Sequence, residues 1–143
     1  AISSAPMIDP NHPELAIVRR RLETEEVAWL VTVRRDGQPQ ASPIWTIWDE
    51  PDFLIYSRPD AGKLKNIAAN PKVTLHLDGG QDDHTAAIFE GTARPSDDPP
   101  ADQVPALVAK YADGIARLGW SPEEFAAQYS VSIRVEPTRL RAW

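Results

Sequence analysis

The chain contains no cysteine and only three histidines among its 143 residues. Without cysteine there is no disulfide, no thiolate nucleophile and no zinc–thiolate site. The histidines His12, His76 and His84 form no close ligand pair, and no His-Glu-x-x-His motif is present. The sequence therefore predicts no metal site.

Long apolar runs and an excess of positive charge are also missing. No stretch approaches the roughly 20 apolar residues that a helix needs to span a bilayer. The first residues lack the basic and apolar regions of a secretory signal, so we expect a cytoplasmic protein. The formal net charge of −6 argues against a broad nucleic-acid or anionic-lipid surface, because both attract positively charged proteins.

Three common catalytic signatures do not occur. No serine lies in a Gly-x-Ser-x-Gly turn, so hydrolase chemistry has no support. Neither a Walker loop nor a Gly-x-Gly-x-x-Gly dinucleotide motif is present. No pair of carboxylates is marked as catalytic either, and the catalytic residues stay unassigned at this point.

Periodicity predicts one α+β domain over residues 13–143, preceded by a flexible lead-in over residues 1–12. Asp36-Gly37 predicts a hairpin between a strand from Ala28 and a return strand over Gln40–Trp48. Further strands are expected over 53–57, from 73, over 85–93 and over 131–135, with Pro137 interrupting the last one. Helices are expected from Pro13, after residue 62, over 104–118 and over 121–129. Several strands joined by short turns predict a closed or partly closed antiparallel barrel.

Residues 56–71 carry the clearest functional pattern. An apolar strand runs into a polar loop and a short helix that together hold Arg58, Lys63 and Lys65. Loop amides and a helix N-terminus supply free N–H donors, and the cations add charge-assisted bonds suited to a phosphate. A solvated surface helix is the other interpretation of the same residues. Nearby Pro43 and Trp45 favour a flat aromatic ligand with a phosphate tail, although a tryptophan is also a common core residue.

The ordered set of motifs resembles the pyridoxamine-phosphate-oxidase-like split-barrel proteins, and within them the flavin/deazaflavin oxidoreductase branch that often uses coenzyme F420. The motifs are Pro43–Trp45, Leu54–Ser57, Gly62–Ile67, Asn70–Leu75 and Glu90–Arg94. The resemblance implies a split β-barrel and a homodimer with two cofactor sites at its interface. It also implies residue roles at matching positions.

By that resemblance, four groups of residues are expected at the cofactor. Phosphate contacts are expected from Ser57, Arg58, Lys63 and Lys65, with Tyr56 and Asn66 beside them in the same motifs. The strand along the ring is expected to be Pro43, Ile44, Trp45 and Thr46. A loop near the ring corresponds to Asp78, Gly79 and Gly80, and Trp143 resembles a C-terminal tryptophan that approaches the site.

Two departures from the flavin-using members favour F420 over FMN. Ala86 replaces a glutamine that they often place before the Glu-Gly-Thr strand, and an arginine on their second strand is absent near Ser42. The resemblance thus predicts an oxidoreductase that transfers hydride between reduced F420 and a small organic acceptor. An FMN-dependent oxidoreductase, a non-enzymatic flavin or deazaflavin carrier, and a flavin-free interaction module are the alternatives.

Overall fold

The computed structural model describes residues 8–78 and 86–143. The helices in these ranges are α1 (Pro13–Thr24), α2 (Gly62–Ala69), α3 (Pro105–Arg117) and α4 (Pro122–Gln128), with a 3₁₀ turn at Ala101–Gln103. The strands are β1 (Ala28–Val33), β2 (Pro39–Ile44), β3 (Thr46–Asp49), β4 (Asp52–Ser57), β5 (Lys72–Leu77), β6 (Ala87–Ser96) and β7 (Val131–Ala142).

The seven strands form one antiparallel sheet in the order β2-β1-β5-β6-β7-β4-β3. Its first and last strands, β2 and β3, are separated in sequence by the single residue Trp45. Because one residue spans only about 3.3–3.6 Å, the sheet must curl until its two edges approach each other at Trp45. The result is a half-closed barrel, which confirms the predicted α+β split-barrel fold.

The return strand predicted over Gln40–Trp48 is wrong in one respect, because it is two strands that leave opposite edges of the sheet. The break comes at Trp45, whose ring stacks on Tyr111 of α3 at 4.6 Å between centroids. The next amide, Thr46 N, donates to Tyr111 Oη at 2.8 Å. Packing against α3 therefore replaces strand pairing at this point. Pro43 lies in the edge strand β2, where its missing N–H costs no ladder bond.

The predicted interruption at Pro137 is also wrong, since β7 runs without a break from Val131 to Ala142. Pro137 pairs with Gly91, and the register shifts by a bulge between Glu90 and Gly91. A bulge leaves one residue unpaired, which lets a long strand accommodate a proline that cannot donate to the ladder.

Two apolar cores lie on opposite faces of the sheet. Strand β4 contributes to both, because Phe53 and Ile55 point into the barrel while Leu54 and Tyr56 point towards the helices. The barrel core contains Leu30, Leu75, Phe89 and Ile133, and α1 covers it with Leu15, Val18 and Leu22. The second core joins β3 and β4 to α3 and α4. This second layer positions the helices over the Trp45 junction.

The described part of the lead-in is packed rather than free of contacts. Ile8 is buried in the barrel core, and His12 Nδ1 accepts from Glu14 N at 3.1 Å at the start of α1. The extent of the lead-in stays a prediction, because residues 1–7 lie outside the described ranges. None of the described helices has the length and apolar character needed to cross a membrane.

Arg134 of β7 fastens the linker between β6 and α3 to the barrel. Its guanidinium donates to both carboxylate oxygens of Asp98, at 2.9 and 2.5 Å, and to Asp49 Oδ2 at 2.8 Å. Ser96 Oγ donates to Asp98 Oδ2 at 2.6 Å. The bonds from Arg134 come first among the causes that hold the pKa of Asp98 at about 2.

This pairing predicts acid sensitivity that Asp98→Asn should remove. Since the folded-state pKa of Asp98 lies below the ordinary value of 3.8, its stabilising contribution is complete above about pH 4 and is lost as the pH falls towards 2. We expect the free energy of unfolding of the wild type to fall more steeply across this window than that of Asp98→Asn. Urea denaturation at a series of pH values measures the two slopes, and equal slopes would contradict the assignment.

Candidate functional site

A cavity of about 240 Å³ lies beside the Trp45 junction, where β2 and β3 part. Its walls come from the junction, from β4, from the start of α2 and from the α3–α4 layer. The lining residues are Val27, Pro43, Ile44, Trp45, Tyr56, Lys63, Leu118, Phe125 and Tyr129. We call this space the junction cavity. Five of its nine residues belong to the set expected from the sequence: Pro43, Ile44, Trp45, Tyr56 and Lys63.

Lys63 is the lining residue of the cavity that carries a positive charge. It lies in the first turn of α2 and is half-buried, and burial lowers the pKa of its amine. No hydrogen bond or ion pair joins Lys63 Nζ to any residue of the described ranges. The N-cap residue of α2, Ala61, makes no side-chain cap bond, and the first turn of α2 holds no acidic residue. A free ammonium beside uncapped helix amides is a favourable place for an anion.

Arg58 does not line the cavity but packs on Tyr129, which does. Its guanidinium carbon is 5.2 Å from the centroid of the Tyr129 ring, and Nη1 is 3.5 Å from Gln128 Oε1. The side chain is exposed and is held by a cation–π contact with a cavity residue. Its guanidinium thus lies beside one residue of the cavity wall.

Lys65 and Asn66 lie apart from the cavity. Lys65 lines a separate groove on the far side of α2, together with Arg34 and Arg35. Asn66 is buried, and its Nδ2 donates to Thr32 Oγ1 and to Gln40 Oε1, both at 2.9 Å. Asn66 thus ties α2 to the first hairpin.

Thr46 and Ser57 are buried beside the cavity and are bonded within the protein. Thr46 Oγ1 donates to Leu54 O at 3.0 Å, and Ser57 Oγ donates to Arg58 O at 2.9 Å. Neither hydroxyl lines the cavity. Their observed role is to hold the junction and the turn after β4.

The other residues expected at the cofactor lie away from the junction cavity or outside the described ranges. Asp78 Oδ1 accepts from Trp29 Nε1 at 3.3 Å. Trp143 is 62% exposed, and its backbone N donates to Ala86 O at 3.1 Å. Gly79 and Gly80 lie outside the described residues. Asp78 and Trp143 do not line the junction cavity of this single chain.

Sequence reasoning missed the outer wall of the cavity, which is formed by Leu118, Phe125 and Tyr129. Phe125 stacks on Trp45 at 5.5 Å and on Tyr129 at 4.9 Å between ring centroids. Their spacing of four residues on a predicted helix was the available signal, because i and i+4 share one helix face. Nothing in the sequence placed that face against Trp45.

Residues 16–143 match the sequence profile of the family described as pyridoxamine 5'-phosphate oxidase. The chain belongs to this family. The family is named for an oxidase that acts on a phosphorylated compound. No protein of curated function is significantly similar in sequence to the chain.

Solved structures share the family fold. A conserved hypothetical protein from Mycobacterium tuberculosis aligns over 100% of this chain and 89% of its own, with a TM-score of 0.71 and 20% identity. An F420 reductase aligns over 84% of this chain and 92% of its own, with a TM-score of 0.61 and 27% identity. A FAD-binding protein from Mesorhizobium loti aligns over 89% and 90%, with a TM-score of 0.62 and 16% identity.

Two of these relatives are named for F420 or FAD, and the lining of the junction cavity fits a cofactor of that kind. Its walls are mostly apolar and aromatic, and Lys63 supplies a cation that has no partner in the described ranges. These residues fit a flat ring that carries an anionic tail.

The described part of the chain holds no candidate metal site. No group of three or more histidine, aspartate or glutamate side chains is placed there to hold an ion.

The outer face of the first hairpin is apolar and borders the cavity. Trp29, Val31 and Val33 of β1 pair with Pro43, Ala41 and Pro39 of β2. The three β1 residues are half-buried and the three β2 residues are exposed. Pro43 belongs both to this face and to the cavity wall. The apolar face therefore reaches the cavity at Pro43.

Proposed function

We propose that the chain binds coenzyme F420 in the junction cavity and is an oxidoreductase that transfers hydride between reduced F420 and a small organic acceptor. The observation that carries the proposal is the half-buried Lys63, which has no hydrogen-bond or ion-pair partner among the described residues and lies on an otherwise apolar and aromatic wall at the uncapped start of α2. The 27% identity with an F420 reductase over most of both chains supports the choice of F420.

Each residue has a physical role in this proposal. Lys63, the amides of α2 and Arg58 hold the anionic part of the coenzyme by charge-assisted hydrogen bonds. Pro43 and Ile44 contact the ring, while Phe125 and Tyr129 exclude water from it. When bound, F420 supplies the hydride chemistry, and the protein contributes binding, orientation and a dry site.

Apart from Lys63, which the proposal assigns to the anionic part of the coenzyme, the described cavity wall offers Tyr56 as a possible proton donor or acceptor. Tyr56 Oη donates to Pro99 O, and burial, followed by the charge of Asp98, raises the pKa of Tyr56 to about 12. A phenol with that pKa and an occupied donor is a poor acid or base near neutral pH. The proposal therefore assigns Tyr56 to packing alone.

We further propose that a second copy of the chain completes the site. The cavity of about 240 Å³ is smaller than the roughly 300–1,000 Å³ of typical small-molecule sites. The exposed apolar face of β1 and β2 leads to it through Pro43. A homodimer that buries this face would deepen the cavity and remove apolar surface from water.

Parallel titrations with F420 and with FMN test the proposed function. F420 should show a saturable change in deazaflavin fluorescence, and FMN should bind more weakly. Tighter binding of FMN would assign the site to the flavin instead. Failure of both coenzymes to bind would contradict the proposal and leave a flavin-free interaction module.

A second assay separates an enzyme from a carrier. The loaded protein should oxidise reduced F420 in the presence of at least one member of a panel of quinones, enones and nitroaromatics. Tight binding without turnover across the panel would favour a non-enzymatic carrier.

A further inference from the structure

Leu118 is an exposed hydrophobic residue in the wall of the junction cavity. Its exposed fraction is 49%, and Ile17 and Trp143 are the other large apolar residues of the described ranges that are exposed. Of these three residues, Leu118 alone lines the cavity. A single exposed leucine is common on protein surfaces, so the inference depends on its support and on the charges around it.

Two helix caps hold the backbone around Leu118. Leu118 is the C-cap of α3, and the amides of the next two residues donate back to carbonyls of α3 at 2.9 and 3.3 Å. This is the hydrogen-bond pattern of a Schellman motif, and Gly119 takes its left-handed position with a φ of +76°. Ser121 then begins the capping box of α4. Because only Gly119 and Trp120 lie between the two caps, the position of Leu118 is set by the two helices.

The charges next to this part of the wall neutralise each other. Arg117 precedes Leu118 and forms an ion pair with Glu26, which is itself next to a lining residue. Among the nine described lining residues, Lys63 alone is charged. The proposed function assigns Lys63, and Arg58 outside the lining, to the anionic part of the coenzyme. The described cavity wall therefore offers no second ionic partner for another bound molecule.

We propose that Leu118 determines specificity by contacting the hydride acceptor, and that this acceptor is an uncharged, mainly apolar compound. A charged acceptor would lose contacts with water in the cavity without gaining an ionic partner. An apolar acceptor would instead cover the exposed part of Leu118 and remove it from water, which is favourable. The inference rests on the proposed function, since it requires that the coenzyme binds in the junction cavity.

An uncharged enone illustrates the reaction of such an acceptor. Its β-carbon gains a hydride, which is two electrons and one proton, from reduced F420, and the π bond between its α- and β-carbons breaks. The α-carbon of the resulting enolate then gains a proton from water. The enone becomes a saturated ketone and the coenzyme is left oxidised. Leu118 makes no bond in this step, and its role is to hold the apolar part of the acceptor.

Matched pairs of acceptors test the substrate class. Each quinone, enone and nitroaromatic of the panel is compared with an analogue that carries a carboxylate away from the reacting group. The uncharged member should have the higher kcat/KM in each pair that is reduced. Preference for the carboxylated members would overturn the inference but not the proposed function. Turnover of no acceptor would overturn the inference and the assignment as an oxidoreductase, and would leave coenzyme binding in place.

Leu118→Gln tests the contact with the acceptor, because glutamine is similar in size but polar. For the best uncharged acceptor, kcat/KM should fall about three- to tenfold, which corresponds to the burial of about half a leucine side chain. The Kd of F420 should change less than about twofold. Ile17→Gln is the matched control, since Ile17 is 55% exposed on α1 and does not line the cavity. The control should keep the wild-type kcat/KM.

Leu118→Lys should shift the preference towards the carboxylated acceptors. The ratio of kcat/KM for the carboxylated member to that for the uncharged member should rise about tenfold over the wild-type ratio, the effect of one charge-assisted hydrogen bond. Comparison of the same two acceptors in both proteins cancels their difference in chemical reactivity. Ile17→Lys adds the same charge away from the cavity and should leave the ratio unchanged.

Three results would overturn the inference and leave coenzyme binding in place. The first is an unchanged kcat/KM in Leu118→Gln or an unchanged ratio in Leu118→Lys. The second is a change in the Kd of F420 as large as the change in kcat/KM, which would place the coenzyme against Leu118. The third is a change of oligomeric state in size-exclusion chromatography of Leu118→Gln, which would place Leu118 between two copies. Failure of the wild type to bind F420 would overturn the proposed function and the inference together.

Discussion

Gly91→Ala is expected to destabilise the protein by more than about 3 kcal/mol, which exceeds the usual cost of overpacking a core. A Cβ at position 91 would lie 2.1 Å from Glu136 O and 2.7 Å from Pro137 Cα. Both atoms belong to the backbone of β7, so no rotation of a side chain can relieve the overlap. The bulge between β6 and β7 would have to open, along the longest pairing in the sheet.

Guanidinium denaturation of Gly91→Ala and the wild type measures this effect. Gly62→Ala is the control, because a Cβ at position 62 would meet nothing within 4 Å. The control should be as stable as the wild type or slightly more so, since alanine is a better helix former than glycine. A stability loss below about 1 kcal/mol for Gly91→Ala would mean that β6 and β7 do not approach each other this closely at the bulge.

Lys63→Ala is expected to weaken F420 binding by about 1–3 kcal/mol, the usual contribution of a hydrogen bond to a charged group. This corresponds to a five- to 150-fold rise in Kd, or about tenfold per 1.4 kcal/mol. The fold should not change, because Lys63 makes no hydrogen bond or ion pair within the described ranges. Lys63 is half-buried, and burial lowers the pKa of its amine. The ammonium has therefore lost contacts with water, which a bound anion would replace.

Lys65→Ala is the matched control, with the same loss of charge two residues away. Lys65 lines the groove with Arg34 and Arg35 rather than the junction cavity. Its removal should change Kd less than threefold, through long-range charge alone and mostly at low salt. Equal effects of the two substitutions in a fluorescence titration would show that the anion does not sit at Lys63.

Local signals predicted most of the sheet. The Asp36-Gly37 turn forms the expected hairpin, with Gly37 at a φ of +87° and Arg34 N donating to Gln38 O at 2.9 Å. The helix expected over 121–129 begins with a capping box, in which Ser121 Oγ accepts from Glu124 N at 3.1 Å. Such features depend on neighbouring residues, so the sequence alone contains the information.

The break at Trp45 could not be predicted, because it depends on partners distant in sequence. Within residues 40–48, Pro43 indicates an edge strand or a bulge, but no residue there indicates a break at Trp45. The chain leaves β2 at Trp45 because Tyr111 and Gly114 of α3 form a slot for the indole. Tertiary packing overrode the local strand preference.

The candidate site was only partly within reach of sequence reasoning. Lys63 and Lys65 were expected together, but residues two apart on a helix point in opposite directions, so helical geometry alone separates them. Phe125 and Tyr129 were placed on a helix without a predicted partner. Both residues line the cavity because α4 packs against the barrel, and no local sequence pattern predicts that packing.

The central claim is that the junction cavity holds a tricyclic redox coenzyme with its anionic group at the start of α2. A crystal structure of the protein with F420 tests this most directly. We expect the ring against Pro43 and Ile44 and an oxygen of the anionic group within hydrogen-bonding distance of Lys63 Nζ. A coenzyme bound elsewhere, with Lys63 facing only solvent, would contradict the account.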